Sequence, residues 1–232
     1  MARVSSFPIS FALLSPNARN RTLVYFCGDL SSSSNVSFSP TILRQLGWKT
    51  SEAQVHQIPV YVIAITTSII AHIWSGRVGV RFPFILVGAS ISLIGWSIQL
   101  AELTDKPAVR YFGLFMISAG ASIQMPLSVV WLNNNLEGRP EKAVAAALQM
   151  GFGNGANFVS SNMFIKRQAP YYPTAFRIGT SFAIIGGLAT VLLTVLLANE
   201  NRMLDRKERE KTTSANTEEP QVSTGIRFRN TL

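Results

Sequence analysis

Five long apolar stretches without a single Lys, Arg, Asp or Glu dominate this chain: residues 58–75, 82–100, 111–132, 143–164 and 178–198. A helix rises about 1.5 Å per residue, so roughly 20 residues reach across about 30 Å of hydrocarbon. Each stretch predicts a membrane-crossing helix. All charge between Ile58 and Ala198 is confined to the short connections.

Composition supports that reading. Hydrophobic residues make up 47% of the 232 positions and charged residues only 14%. One helix apolar all round can be buried in a water-soluble core, but five in series leave no amphipathic element to cover them. The expected fold class is therefore all-α, a polytopic membrane helix bundle with the lipid bilayer as its partner. The net charge of +9 does not indicate nucleic acid, because Lys and Arg are scattered through loops and ends without interleaved aromatics. Cys27 is alone, which excludes a disulfide framework or a thiolate metal site within the chain. Walker, HExxH and Gly-x-Ser-x-Gly motifs are absent, so no enzyme activity, cofactor or metal is expected.

Along the chain, residues 1–21 read as a disordered or misannotated lead, with Pro8 breaking their only apolar run. Residues 22–45 are ambiguous. They begin apolar, but Gly28, Asp29 and the serines at 31–34 make insertion costly, so they read as a weak or degraded first helix. Serine hydroxyls can bond back to helix carbonyls, and a neighbouring bundle can accept such a segment. Residues 46–200 form the bundle and residues 201–232 a cytoplasmic disordered tail with too little apolar surface to fold alone. Trp48 suits an interface, and Ser51 is placed to cap a helix whose first turn holds Glu52.

Lys and Arg near the span ends set the orientation. Arg77, Arg81, Arg139, Lys142, Arg202, Arg206, Lys207, Arg209 and Lys211 fall on one side, against Arg44, Lys49, Lys106, Arg110, Lys166, Arg167 and Arg177 on the other. The first group is expected in the cytoplasm.

Several local patterns then recur in a recognisable order: Pro40-Thr41-Ile42 with Leu46-Gly47, a basic hairpin from Arg77 to Arg81, Pro126, Trp131-Leu132 and Asn134-Asn135. Gly138-Arg139, Gly153-Asn154, Ala169-Pro170-Tyr171-Tyr172 and Asn199-Glu200-Asn201-Arg202 continue it. In order and spacing this resembles the C-terminal six-helix half of a fungal major facilitator superfamily transporter, in the anion:cation symporter group of allantoate and nicotinate permeases. The resemblance implies five clear transmembrane helices plus one weak one, a multi-pass placement in the plasma membrane, and symport of small organic anions such as carboxylates, vitamins or ureide-like compounds. It also implies a partner, either a second six-helix half or a homodimer mate, since the substrate path in such carriers runs between halves. Arg77 and Arg81 would form the gating loop. The family's acidic residue before that first Arg is replaced by Gly76.

Polar side chains inside spans are costly and mark candidate sites. Gln124 lies two residues before Pro126, whose missing N–H frees a backbone carbonyl and bends the helix, which reads either as a structural kink with Gln124 bonded to a neighbouring helix or as a place for a ligand or water. Asn154 and Asn157 lie in a stretch that also holds Gly151, Gly153 and Gly155, with Gly153 and Asn157 on one face and Gly151 and Gly155 on another. Gln124, Asn154 and Asn157 are the candidate substrate-binding residues. His72 reads as an interfacial residue, and Thr66 and Thr67 as residues bonded to their own helix. With no carboxylate in the five stretches, a proton-coupling acid has to come from Asp29 or from outside the chain.

Overall fold

The computed structural model describes residues 16–101, 106–134, 139–168 and 172–215, and these are helical with short connections. The helices are α1 (Pro16–Gln45), α2 (Thr50–Val78), α3 (Phe82–Leu100), α4 (Pro107–Asn134), α5 (Arg139–Gly153), α6 (Ala156–Met163) and α7 (Pro173–Ala215). A single 3₁₀ turn, Lys166–Gln168, precedes α7.

Among the described residues, four helices are long and apolar enough to cross a membrane: α2, α3, α4 and the Pro173–Met203 part of α7. The single span expected over 143–164 is two helices, α5 and α6, separated at Asn154-Gly155. Here i→i+3 bonds replace the regular ladder: Gly155 N–H donates to Phe152 O, Asn157 N–H to Asn154 O and Phe158 N–H to Gly155 O, each at 3.1 Å. Such tightening marks a local break in an α-helix. The expected tail begins inside α7, which runs on to Ala215, and residues 216–232 lie outside the described residues. Of the expected lead, residues 1–15 lie outside them too, and Pro16 already opens α1.

The ambiguous segment turns out to be central. α1 is 30 residues long and packs against α2, α4, α5, α6 and α7. It is not amphipathic, because it is covered on most sides: Val24, Tyr25, Cys27, Leu30, Ile42 and Leu43 are buried, and so are Arg21, Asp29, Ser31, Ser34, Asn35 and Ser39. Two of its buried serines bond their own helix backbone. Ser31 Oγ donates to Cys27 O at 3.2 Å and Ser34 Oγ to Leu30 O at 2.6 Å, and Trp96 Nε1 of α3 donates to Ser31 Oγ at 3.2 Å.

α4 is the second central helix, with 61% of its apolar window buried against 22% for α2. It meets α3 through paired glycines. A Cβ on Gly88 would lie 2.9 Å from Gly120 O, and one on Gly95 2.7 Å from Gly113 O. Lipid gives no hydrophobic drive to helix pairing, so this close backbone approach supplies van der Waals contact instead. α3 and α7 share a further contact in which Gly179 accommodates the Trp96 ring.

The α2–α3 hairpin closes at Gly79, whose φ of 74° places it in the left-handed region and whose N–H donates to Ser75 O at 3.1 Å. At the other end of α2, Lys49 is the N-cap and its N–H donates to Glu52 Oε2 at 3.0 Å, so Glu52 takes the capping role expected of Ser51. Trp48 packs edge-on against His56 at 4.3 Å and Tyr111 at 5.4 Å, in an aromatic cluster tied by Tyr111 Oη donating to His56 O at 2.7 Å.

Candidate functional site

α1 and the broken α5–α6 pair run side by side in constant register. Gln149 Nε2 donates to Arg21 O at 3.2 Å, Asn157 Nδ2 to Asp29 Oδ2 at 3.5 Å, and Ser34 Oγ to Met163 Sδ at 3.8 Å, with sequence separations of 128, 128 and 129. Gly153 fills the rung between them, its missing side chain leaving room for the Tyr25 ring. The packing face of α5–α6 thus follows Gln149, Gly153 and Asn157. Gly151 is exposed with nothing near its Cβ position.

Asp29 is the chemically significant member of this seam. It is 6% exposed, and among the described residues it has no Lys or Arg partner; the Asn157 amide is its neighbour. Its depth is set by Cys27, two residues earlier, whose Cβ would lie 2.8 Å from a Cβ on Gly186 in the middle of the apolar part of α7. Three residues beyond Asn157 on α6, Ser160 is 1% exposed and its Oγ has no hydrogen-bond partner. Residues three apart on a helix share a face.

The candidate substrate residues are not gathered in one place. Asn157 reaches Asp29 from an otherwise exposed position, and Asn154 is exposed at the helix break, where its N–H donates to Met150 O at 2.9 Å. Gln124 lies elsewhere. It is 3% exposed between α1, α4 and α7, donating from Nε2 to Val24 O at 3.3 Å, with Gly28 and Gly186 making room for its side chain. Pro126, near it, leaves no open carbonyl, because Ser68 of α2 donates to the freed Ser122 O at 2.9 Å.

In the expected gating loop, Arg77 is exposed at the end of α2, while Arg81 is partly buried at the N-cap of α3. Gly76 is exposed with open space around it. His72 is fixed on its own helix by a 2.6 Å contact between Nδ1 and Ser68 O, and Thr66 and Thr67 bond Val62 O and Ile63 O as expected. Asp29 is the residue that hydropathy undervalued; its signal is a lone carboxylate in the middle of a segment bounded by helix-compatible residues.

The chain is similar to several fungal transporters. It is 28% identical to the high-affinity nicotinic acid transporter of Saccharomyces cerevisiae over 173 residues, 75% of this chain and 32% of that protein. It is 29% identical to an uncharacterized transporter of Schizosaccharomyces pombe over 184 residues, 78% of this chain and 36% of the relative. The MFS-type transporter cnsO of Penicillium expansum is 28% identical over 167 residues, covering 70% of this chain and 32% of that protein. The chain therefore spans about a third of the length of the curated relatives it matches. No family model matches the chain. No solved structure matches it either.

Proposed function

We propose that this chain is the C-terminal half of an alternating-access secondary carrier that moves small organic anions, namely carboxylates, vitamins or ureide-like compounds, across a fungal plasma membrane. The observation that carries the reading is the seam between α1 and the broken α5–α6 helix. It brings Asn157, from an exposed position on α6, to the buried carboxylate of Asp29 at 3.5 Å, next to a helix break at Asn154-Gly155. Broken helices whose backbone and polar side chains meet near mid-depth are the form that solute sites take in secondary carriers. Similarity to a nicotinic acid transporter supports the organic-anion class.

In this reading Asn154 and Asn157 present amide donors to a carboxylate-bearing solute, and Arg77 and Arg81 steady the loop between α2 and α3. Alternating access requires two bundles rocking about the site. The partner is a second six-helix half or a homodimer mate, seated against the exposed apolar surface that α2 shares between lipid and neighbour; Val62, Ile65 and Ile69 are among its exposed residues.

The test is uptake into reconstituted vesicles. The 232-residue chain alone is expected to give no saturable uptake of nicotinate, and co-assembly with the N-terminal six helices of a relative is expected to produce it. Saturable uptake by the chain alone overturns the two-bundle requirement. A second reading, a non-transporting membrane protein or interaction subunit, draws on the internal role of Gln124. Stable co-assembly with the N-terminal helices but no uptake favours it.

A further inference from the structure

We propose that Phe158 of α6 is the ring-binding platform of the solute site, so that the bundle selects a planar aromatic carboxylate over a saturated one of the same size. The solute's ring lies on the face of Phe158, and its carboxylate takes the amide of Asn154. Within the carrier reading, on which this assignment rests, the solute class narrows from organic anions at large to aromatic acids.

α6 and the break before it carry two unlike sides. Gly153, Ala156, Ser160 and Met163 are buried, and the contacts of Gly153 with Tyr25 and of Met163 with Ser34 turn this side to α1. The exposed positions are Asn154, Asn157, Phe158, Ser161 and Asn162. α2 and α3 expose a different kind of surface. Between Ile58 and Trp74 the one exposed polar residue of α2 is Thr66, and α3 exposes Ser90 and Ser97 beside Val87 and Ile94. All three hydroxyls bond a carbonyl of their own helix, at 2.8, 2.9 and 2.8 Å, as a side chain turned to lipid must. An asparagine amide has two N–H donors and an acceptor, more than one backbone bond can satisfy. A surface bearing three such amides belongs against water or a polar solute rather than hydrocarbon.

Phe158 stands among these amides. Its side chain is 79% exposed, the most of any large apolar residue among the described residues. Asn154 and Asn162 lie four residues before and after it, on the same face. An aromatic ring on a wet surface gains by being covered, and offset stacking with a second ring adds to that gain what a saturated solute cannot supply. The acid group of the solute falls to Asn154. Asp29 already meets the Asn157 amide, and two carboxylates side by side are unfavourable. Residues four apart on a helix are separated by about 6 Å, a distance that a ring with a directly attached carboxylate spans.

The test compares benzoate with cyclohexanecarboxylate, binding to the full chain in phosphatidylcholine nanodiscs being read by saturation-transfer NMR of the two acids. Benzoate is expected to bind roughly fivefold more tightly. Phe158→Leu should bring the ratio to about one, Phe158→Trp should keep it, and Asn154→Leu should weaken both acids alike. A second measurement asks whether the face is wet. Phe158→Cys is expected to react with a charged, water-soluble thiol reagent and Ile65→Cys, on the exposed side of α2, to resist it, with native Cys27, 1% exposed, silent in both. Equal protection of the two variants puts the α6 face in lipid and overturns the proposal. Equal affinity for the two acids, or a ratio unmoved by Phe158→Leu, overturns the platform but leaves the organic-anion carrier standing. Binding of neither acid also overturns the platform, and the carrier reading is then decided by the uptake experiment alone.

Discussion

Ser68 donates its hydroxyl to the backbone carbonyl of Ser122 at 2.9 Å, and Ser122 returns a bond of 2.8 Å to Ala64 O. This reciprocal clasp joins α2 to α4 one turn before Pro126. In a regular helix the N–H of residue 126 would bond the carbonyl of residue 122, and proline has none. The carbonyl that Pro126 abandons is therefore satisfied by a neighbouring helix, which is how membrane bundles tolerate internal prolines. The kink expected to open a ligand place is instead a fastening point for α2, the least buried of the four apolar spans.

Ser68→Ala is expected to destabilise the bundle by about 0.5–2 kcal/mol, since it leaves Ser122 O without a donor in an apolar setting. Pro126→Ala restores the N–H, so the Ser68→Ala cost should shrink in the Pro126→Ala background. Unfolding in mixed micelles, followed by tryptophan fluorescence, gives the double-mutant cycle. Equal costs in both backgrounds would show that the two residues are not coupled.

The α3–α4 contact predicts a position-dependent glycine series. Gly95→Ala places a methyl 2.7 Å from Gly113 O and from Ile117 N, both backbone atoms that cannot swing aside. Overpacking of this kind costs about 1–3 kcal/mol. Gly151→Ala, on an exposed face with nothing within 4 Å, should be neutral or slightly stabilising because alanine favours the helix. Thermal unfolding of the two variants in the same detergent decides it, and an equal loss in both would refute the close-approach account.

Much of this architecture is legible in residue order alone. The apolar runs at 82–100 and 111–132 correspond to α3 and α4 because a charge-free stretch of membrane length has few alternatives to helix. α1 escaped such reasoning. Its serines and Asp29 raise the cost of inserting an isolated helix, whereas in the bundle Ser31 and Ser34 bond their own backbone and Asp29 meets Asn157 on α6, a partner 128 residues away. The break at Asn154-Gly155 was masked for the opposite reason, since hydropathy averages over a run and is blind to a local change of hydrogen-bond pattern. Among the candidate site residues, Asn157 meets the Asp29 carboxylate, whereas Gln124 shows that a mid-span amide can bond within the bundle: its donor goes to Val24 O.

That internal role makes Gln124 a useful discriminator. Gln124→Leu exchanges a 3.3 Å bond to Val24 O for an apolar side chain of similar size. Because Val24 O also serves as an intrahelical acceptor, the expected stability change is below about 1 kcal/mol. In a co-assembled carrier, nicotinate uptake should keep its half-saturation concentration. A tenfold rise in that concentration without loss of stability would instead put Gln124 in contact with the solute.

The final prediction concerns the rung formed by Tyr25 and Gly153. A Cβ at Gly153 would fall on the Tyr25 ring, and that ring is 4% exposed, held between α1 and the end of α5. Gly153→Ala must therefore push α5 away from α1 or force Tyr25 out of its rotamer, at about 1–3 kcal/mol. Tyr25→Ala by itself leaves a cavity and costs a few kcal/mol, about the range seen for large-to-small core changes. Combined, the two substitutions relieve the clash, so the double variant should be less destabilised than the sum of the singles by at least about 1 kcal/mol. Additive losses in chemical unfolding of the four proteins would mean that the aromatic ring and the glycine do not meet, and with them the constant register that places Asp29 opposite Asn157 would lose its nearest support.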